Sequence, residues 1–271
     1  MKKVLCNIAL ILMASAVCML WSCKDEESDN QSEVDADESE NIIINVQGVS
    51  FKMIKVHGGS FQMGATPDQG ANCSDSEKPP HEVLLNDYYI GETEVTQELW
   101  QAVMGDNPSG FLGGNLPVEC VPWDDCNTFI SNLNALSNRK FSMPTEAQWE
   151  YAARGGNRSR GFRYSGSNDV DEVSWYTENS YGSTHPVKTK SPNELGIYDM
   201  SGNVWEWCSD WYGYYSLAGR DNPTGPSNGT YRVLRGGSWY NCANESRVSY
   251  RNYNNPIAVL NGYGLRVVLS R

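Results

Sequence analysis

The chain has 271 residues, of which 33 are Asp or Glu and 21 are Lys or Arg, so its formal net charge at pH 7 is −12. Nucleic acids and anionic lipid headgroups are bound by basic surfaces, so this charge argues against both as partners. The length suits one large or two small domains, and no internal repeat or linker-like break interrupts residues 49–271.

The N-terminus predicts a signal peptide over residues 1–22. Two lysines precede an apolar run from Val4 to Trp21, which is the pattern of an export signal. Cys23 follows where the run stops, and this resembles a lipoprotein signal-peptidase site in which the Cys is acylated. We therefore expect an exported lipoprotein of the outer membrane, anchored in the membrane through Cys23 and facing the periplasm or the cell surface. The run is also long enough for a permanent transmembrane helix, and this alternative stays open.

Residues 23–48 predict an acidic, disordered tether. The segment directly after Cys23 reads Lys-Asp-Glu-Glu-Ser-Asp, and the acid-rich sequence that continues to about Asn41 has almost no apolar side chains to bury. The segment resembles the short acidic tag that sends some Bacteroidetes-type lipoproteins to the outer face of the outer membrane. A solvated spacer without any address fits the same residues equally well.

Three helices are predicted in the domain at residues 49–271. The first starts near Thr96, a residue type that commonly caps a helix N-terminus. The second spans about 124–135, where apolar side chains recur at positions i, i+3, i+4 and i+7. The third spans 145–154, with the Thr-x-x-Gln pattern of a capping box at its start and a glycine just after its end.

Short strands are predicted at residues 204–207, 232–235 and 265–268. Gly-rich turns separate these segments, and long periodic runs are few. Few helices among many irregular loops indicate an α+β fold with unusually little regular secondary structure.

Several blocks of sequence, taken in order, resemble a known family. They include Gly-Gly-Ser-Phe-Gln-Met-Gly, Met-Pro-Thr-Glu-Ala-Gln-Trp-Glu-Tyr-Ala-Ala-Arg-Gly-Gly, Gly-Asn-Val-Trp-Glu-Trp and Arg-Gly-Gly-Ser-Trp. The ordered set resembles the sulfatase-modifying-factor family, whose best-known members are formylglycine-generating enzymes. The resemblance covers residues 49–271 and implies a C-type-lectin-like fold. The blocks occupy residues 51–54, 58–64, 77–83, 94–97, 117–123, 143–156, 193–207 and 235–239.

The resemblance implies a copper site that this sequence does not match. Formylglycine-generating enzymes oxidise a substrate Cys and hold copper(I) with two Cys, five residues apart, because soft thiolates suit that ion. Counting from Ser238, the corresponding positions are Asn241 and Ser246, and Cys242 lies one residue away without a partner thiol. We therefore expect neither copper nor formylglycine generation. If the chain is an enzyme nonetheless, Cys242 and Ser238 are its candidate catalytic residues.

The resemblance also implies a calcium site in the loop that carries Asp199, Gly202, Val204 and Glu206. In the family, side-chain oxygens at the first and last of these positions and backbone carbonyls at the middle two surround the ion. Calcium prefers such hard oxygen ligands. The alternative is a loop held by hydrogen bonds alone.

The C-terminal segment interleaves framework residues with a second set that resembles the variable region of retroelement-diversified proteins. Every residue of the second set can be encoded by a codon of the form NNC, and ordinary drift is the alternative. These residues are Tyr240, Asn241, Cys242, Asn244, Ser246, Tyr250, Asn252, Tyr253, Asn254, Ile257, Ala258, Val259, Leu260, Asn261 and Tyr263.

The composition of this segment is rich in Tyr and Asn, which suits a binding surface with rigid aromatic and adaptable polar contacts. We expect a peptide, protein or glycan to bind at Trp239, Tyr240, Asn241, Asn244, Tyr250, Asn252, Tyr253, Asn254 and Tyr263.

Three functions remain as hypotheses: a non-catalytic binding module, a formylglycine-type oxidase and a structural component of an envelope assembly. Cysteine counting does not discriminate among them. After removal of the signal and acylation of Cys23, the odd number of remaining Cys requires at least one that is free or paired between chains. The sequence does not predict any pairing among Cys73, Cys120, Cys126, Cys208 and Cys242.

Overall fold

The structure is a computed structural model, and it describes residues 40–270. The predicted signal peptide, the acylated Cys23 and the tether up to residue 39 lie outside the described residues. Within residues 40–270, no helix has both the length and the apolar character needed to cross a bilayer.

The first sheet joins the two ends of the domain. Its five strands follow one another in the order β1-β2-β5-β12-β6, and all neighbouring pairs are antiparallel. The strands are β1 (Ile42–Val46), β2 (Val49–Val56), β5 (Tyr88–Gly91), β6 (Phe141–Ser142) and β12 (Val268–Ser270).

The folded domain begins earlier than residue 49, so the predicted tether boundary is wrong. β1 pairs with β2 across a two-residue turn at Gln47 and Gly48. Both turn residues have positive φ, 51° and 86°, which is the geometry that joins two antiparallel strands tightly. Ile42, Ile43 and Ile44 are β-branched residues that favour a strand. The prediction assigned them to the tether because the sequence before them is acidic.

Two smaller sheets complete the strand content. The second has the order β10-β9-β7-β11 and the third has the order β3-β4-β8. Their strands are β3 (Gly59–Met63), β4 (His81–Leu85), β7 (Trp205–Trp211), β8 (Arg220–Asp221), β9 (Arg232–Arg235), β10 (Arg251–Asn254) and β11 (Tyr263–Gly264).

All three predicted helices are confirmed. They are α1 (Gln97–Met104), α2 (Trp123–Ser137) and α3 (Glu146–Ala153), and a short helix, α4 (Val170–Val173), was not predicted. Thr96 caps α1 by accepting from the backbone N–H of Leu99 at 3.3 Å. The Thr-x-x-Gln capping box at the start of α3 is present in both directions.

The predicted strand at 265–268 is wrong in its placement, because strand pairing begins only at Val268. The preceding residues make single backbone hydrogen bonds instead, from Val95 to Leu265 and from Gly91 to Val267. Arg266 between them turns into the protein and is fully buried. The apolar and charged residues that alternate over 265–268 therefore do not mark two faces of a strand, because the charged Arg266 also points into the protein.

The second sheet lies between two apolar clusters. Trp205, Trp207 and Leu234 belong to one cluster, and Cys208 and Val233 belong to the other. Adjacent residues of one strand point to opposite faces, so the sheet contributes to both clusters at once. The chain leaves β9 from this buried position and forms the surface described next.

Candidate functional site

The C-terminal segment starts with a turn that only glycine adopts readily. Gly236 and Gly237 have φ values of 98° and 80°, in the left-handed region. Beyond the turn, the Trp239 indole N–H donates to the backbone carbonyl of Asn261 at 2.8 Å. This bond ties the two ends of the segment together, and most residues between them are exposed or half-buried.

Framework residues hold this surface to the body of the domain through two buried ion pairs. Arg247 donates to both carboxylate oxygens of Glu77 at 2.7 and 2.8 Å. Arg251 donates to both oxygens of Glu146 at 2.6 and 2.7 Å. Paired, bidentate geometry of this kind fixes orientation as well as position.

Between these anchors lies a surface that we name the C-terminal face. Tyr240 and Tyr253 are exposed, and the loop after them exposes Ile257, Val259 and Leu260. The other predicted binding residues on this face are half-buried, namely Trp239, Asn241, Asn244, Tyr250, Asn252 and Asn254.

Tyr263 does not belong to the exposed surface, so its assignment as a binding residue is corrected. Its side chain is only 5% exposed, because its ring packs edge-on against Trp207 with centroids 5.4 Å apart. Its hydroxyl accepts from the Asn254 amide at 2.9 Å. Tyr263 therefore supports the C-terminal face from beneath.

A second loop, far away in sequence, extends the C-terminal face. The ring of Phe111 meets the Trp239 indole edge-on at 5.4 Å, and the neighbouring Leu112 is exposed. No periodic pattern predicts this contribution from the sequence Gly-Phe-Leu-Gly.

The two positions that correspond to the copper thiolates carry hydrogen-bonded polar side chains. Asn241 accepts from the Ser238 hydroxyl and from the Trp205 indole, the latter at 2.9 Å, and donates to Glu245 at 2.9 Å. Ser246 is buried, and its hydroxyl accepts from that of Ser174 at 3.3 Å. These oxygen and nitrogen donors do not form a bis-thiolate site for copper(I).

Cys242 is an exposed free thiol beside these positions. Its sulfur lies 3.7 Å from Glu245 Oε2. Glu245 also accepts from the hydroxyl of Tyr250 at 3.3 Å, a role that sequence reasoning missed. The other cysteines between residues 40 and 270 are free as well, namely Cys73, Cys120, Cys126 and Cys208.

The predicted calcium loop is tight and buried. Asp199 and Asn203 have φ values of 58° and 62°, and the Asp199 carboxylate accepts from the backbone N–H of Lys188 at 2.8 Å. Glu206 accepts from the Arg266 guanidinium at 2.8 to 3.1 Å and from the Trp149 indole at 2.7 Å. Both predicted carboxylates thus lie inside the protein with partners.

A third carboxyl group, Glu94, joins this loop, and sequence reasoning did not assign it a role. It accepts from the Asn203 amide at 2.8 Å and from the backbone N–H of Val204 at 3.1 Å. Burial and the charges of Asp199 and Glu206 hold the pKa of Glu94 well above its usual range.

Three carboxyl groups at this loop face two cations, Arg266 and Lys188. Burial raises the pKa of Asp199 to about 6, and Arg266 is the guanidinium that faces these three carboxyl groups. Among the described residues, no three His, Cys, Asp or Glu side chains converge closely enough to hold a metal by themselves. An ion bound here would therefore also need the backbone carbonyls of Gly202 and Val204.

Comparison with known proteins identifies the family. The family model described as Sulfatase-modifying factor enzyme 1-like domain matches residues 45–271. The chain therefore belongs to the sulfatase-modifying-factor family, and both the predicted family and the predicted α+β, C-type-lectin-like fold are confirmed.

The names of individual relatives point to different functions. Chaperone protein LppX of Paenibacillus barcinonensis is 37% identical over 82% of this chain and 91% of its own length. The formylglycine-generating enzyme of Streptomyces coelicolor is 30% identical over 79% of this chain and 87% of its own. The chain also matches the longer serine/threonine-protein kinase pkn1 of Chlamydia pneumoniae, of which it spans 38%.

A solved structure of similar size shares the whole fold. Treponema denticola variable protein 1 superposes with a TM-score of 0.78 and is 33% identical. The match covers 85% of this chain and 99% of that protein.

Proposed function

We propose that this domain is a non-catalytic binding module, displayed outside the cytoplasm on a lipid anchor at Cys23. The observation that carries the proposal is the replacement of the two copper thiolates by Asn241 and Ser246. Both side chains are committed to hydrogen bonds within the protein. Cys242 alone leaves copper(I) without the second soft ligand that the oxidase chemistry needs.

The C-terminal face has the chemistry of a binding surface. Tyr240 and Tyr253 are rigid aromatic side chains that cost little conformational entropy to immobilise, and the Asn residues between them adapt their hydrogen bonds. No charged residue occurs from Asn252 to Gly264. The ligand is therefore a peptide, protein or glycan recognised by shape, aromatic contact and neutral hydrogen bonds.

Diversification of this face by a retroelement would explain its residue pattern. Apart from the buried Ser246 and Tyr263, the positions compatible with NNC codons are exposed or half-buried, and they are interleaved with buried framework positions such as Val248 and Arg251. The similarity to a protein named variable protein 1 supports this reading. Codons ending in C at the interleaved positions, beside a template repeat and a reverse-transcriptase gene, would establish it. Codons without this bias would refute it.

We also propose calcium as a structural ion of the loop at Asp199. The carboxylates of Asp199 and Glu206 and the carbonyls of Gly202 and Val204 would hold it, since calcium takes such oxygen ligands. The grouping of three buried carboxyl groups, Glu94, Asp199 and Glu206, supports this assignment. The ion would add positive charge to that of Arg266 and Lys188.

Two other functions are the alternatives. An oxidase of the formylglycine type is favoured by the 30% identity to the Streptomyces coelicolor enzyme. A structural role in an envelope assembly is consistent with the expected outer-membrane location. Neither accounts for the exposed, uncharged aromatic and aliphatic residues of the C-terminal face.

Binding is tested by screening the purified chain against a glycan array and a displayed random-peptide library. Any ligand selected is then measured on a variant with Tyr240→Ala, Tyr253→Ala and Leu260→Ala. The matched control is Leu136→Ala, an exposed apolar residue on α2 away from this face. Loss of binding in the triple variant alone supports the proposal. Equal binding by all three proteins contradicts it.

A further inference from the structure

A separate cavity of about 270 Å³ lies between the start of α3, strand β4 and the loop after β7. Its walls are mainly apolar and aromatic, with Met63, Tyr214 and Tyr215 among them. Pockets that bind small molecules have this composition, with a few polar groups placed among apolar walls. Two polar groups in its lining have unused hydrogen-bonding capacity, and they determine which kind of ligand the cavity can bind.

The first is the carboxyl group of Asp210, which is only 4% exposed. Its Oδ2 accepts from the backbone N–H of Glu146 at 3.0 Å and from the Ser209 hydroxyl at 3.1 Å. Its Oδ1 takes no hydrogen bond from any residue between 40 and 270 that the structure describes, although Asp210 lines the cavity.

The second is His81, whose side chain lines the same cavity and is 7% exposed. Its Nδ1 lies 3.2 Å from the backbone carbonyl of Pro79. A carbonyl only accepts, so this contact is a hydrogen bond in the tautomer that carries its proton on Nδ1, and in that tautomer Nε2 is an acceptor. With Asp210 ionised and His81 in this tautomer, both unused polar groups are acceptors, and a ligand that donates hydrogen bonds complements them.

The aromatic walls favour a positively charged donor. The Arg251 guanidinium already lies 3.7 Å from the centroid of Tyr215, but Glu146 and backbone carbonyls occupy its donors. Tyr214, 89% exposed at the mouth, offers a further ring. Aromatic faces attract ammonium and guanidinium groups.

We propose that this cavity binds a primary ammonium or guanidinium group on a short apolar stem, with Asp210 and His81 as its acceptors. A lysine or arginine side chain of a peptide has this chemistry, and so does a free alkylamine. The site lies apart from the copper-equivalent positions and from the calcium loop, and it does not depend on the function proposed for the C-terminal face.

The first test measures the affinity of the full chain, in detergent, for three probes by isothermal titration calorimetry. N-acetyl-lysine amide and n-butylamine represent the two sources of the ammonium group, and N-acetyl-norleucine amide is the uncharged match. We expect one or both amines to bind at least about tenfold more tightly than the norleucine probe, as a charge-assisted hydrogen bond provides. Equal affinities, or no binding by either amine, would overturn the proposal.

Two variants give effects of opposite sign. Asp210→Asn keeps an acceptor for the N–H of Glu146 but removes the charge, and should weaken amine binding by about tenfold. Arg220→Ala removes a cation from the cavity lining and should strengthen it, because like charges repel. Weaker amine binding in the Arg220 variant would mean that the cavity takes an anion, and would refute the assignment.

Tyr214→Ala keeps the test valid if Asp210→Asn fails to fold, since this exposed ring is not needed for packing. It should weaken amine binding several-fold by removing one aromatic face. The Leu136→Ala variant should bind as the unmodified chain does. If Tyr214→Ala also binds unchanged, the aromatic part of the proposal is wrong.

Proton release provides an independent signature. Burial and the charge of Glu146 raise the pKa of Asp210 to about 7, so near neutral pH part of the population must lose a proton when an ammonium group binds. The measured heat should then change with the ionisation enthalpy of the buffer. A heat that is the same in all buffers would exclude Asp210 as the partner. The charged and titratable groups around it are Glu146, Arg251, Arg232 and Cys208, with His81 and Arg220 across the cavity.

Discussion

The indole of Trp205 donates a hydrogen bond to the side chain of Asn241 at 2.9 Å. Trp205 is buried in the core beneath the C-terminal face, so this bond attaches a surface position to the interior. In a formylglycine-generating enzyme a copper thiolate is implied at the position of Asn241. Here the same position serves to fix the backbone from which Tyr240 projects.

Exposed residues of the C-terminal face should be replaceable at little cost in stability. Tyr253→Ala should lower the free energy of unfolding by less than about 1 kcal/mol, because surface substitutions rarely cost more. Leu265→Ala, at a fully buried position near by, should cost about 2–5 kcal/mol through lost burial and the cavity left behind. Urea unfolding of both variants checks this. Similar losses in the two variants would mean that the face is part of the core.

The ion pair between Arg247 and Glu77 should be essential to the fold. Arg247→Met would leave the Glu77 carboxylate buried without its cation, at a cost of about 3–5 kcal/mol. Adding Glu77→Gln to that variant should recover part of the loss, since no unpaired charge then remains. Denaturant unfolding of the single and double variants measures the difference. A single variant as stable as the unmodified chain would contradict the assigned burial.

Calcium should stabilise the domain if the loop at Asp199 binds it. At a concentration 100 times the dissociation constant, an ion that binds only the folded state adds about 2.7 kcal/mol. For a domain of this size that raises the melting temperature by roughly 5–10 °C. Asp199→Ala should abolish the increment, and magnesium should give a smaller one because it demands stricter geometry. An unchanged melting temperature after addition of calcium to chelator-treated protein would refute the site.

Without calcium, the contribution of Asp199 to the stability of the domain should fall as the pH rises from about 4 to 6. Burial raises the pKa of Asp199 from 3.8 to about 6, so in this window the folded protein holds a proton that the unfolded chain has released. Other carboxyl groups shift the other way: their arginine and hydrogen-bond partners outweigh burial and lower the pKa of Asp68, Glu77 and Glu146, and the hydrogen bond to Lys55 lowers the pKa of Asp87 to about 2. Asp199→Asn should flatten the slope in chelator. If stability depends on pH equally steeply in that variant, a group other than Asp199 causes the dependence.

Local signals in the sequence predicted the helices well, because the caps at Thr96 and Thr145 act within one turn. They failed where distant residues decide the structure. Glu94 reaches Asn203 from more than a hundred positions away. Arg266 points into the protein and pairs with Glu206. The pattern of residues next to Arg266 in the sequence does not predict this contact.

The candidate site shows the same division. The sequence predicts the interleaving of framework and variable residues after β9, because this pattern is local. The burial of Tyr263 depends on Trp207, and the apolar extension at Phe111 depends on Trp239, so both required the folded structure. The cavity beside Asp210 gave no sequence signal, since its walls come from β3, β4, α3, the loop after β7 and β10.

The measurement that tests the central claim most directly uses the copper-loaded chain and a peptide containing Cys-x-Pro-x-Arg. Mass spectrometry of the peptide after incubation reveals any aldehyde formed from its Cys. Because Asn241 and Ser246 provide no thiolate pair, we predict that no aldehyde forms above the level of a copper-only control. Aldehyde that forms with the chain and disappears with Cys242→Ser would contradict a non-catalytic role.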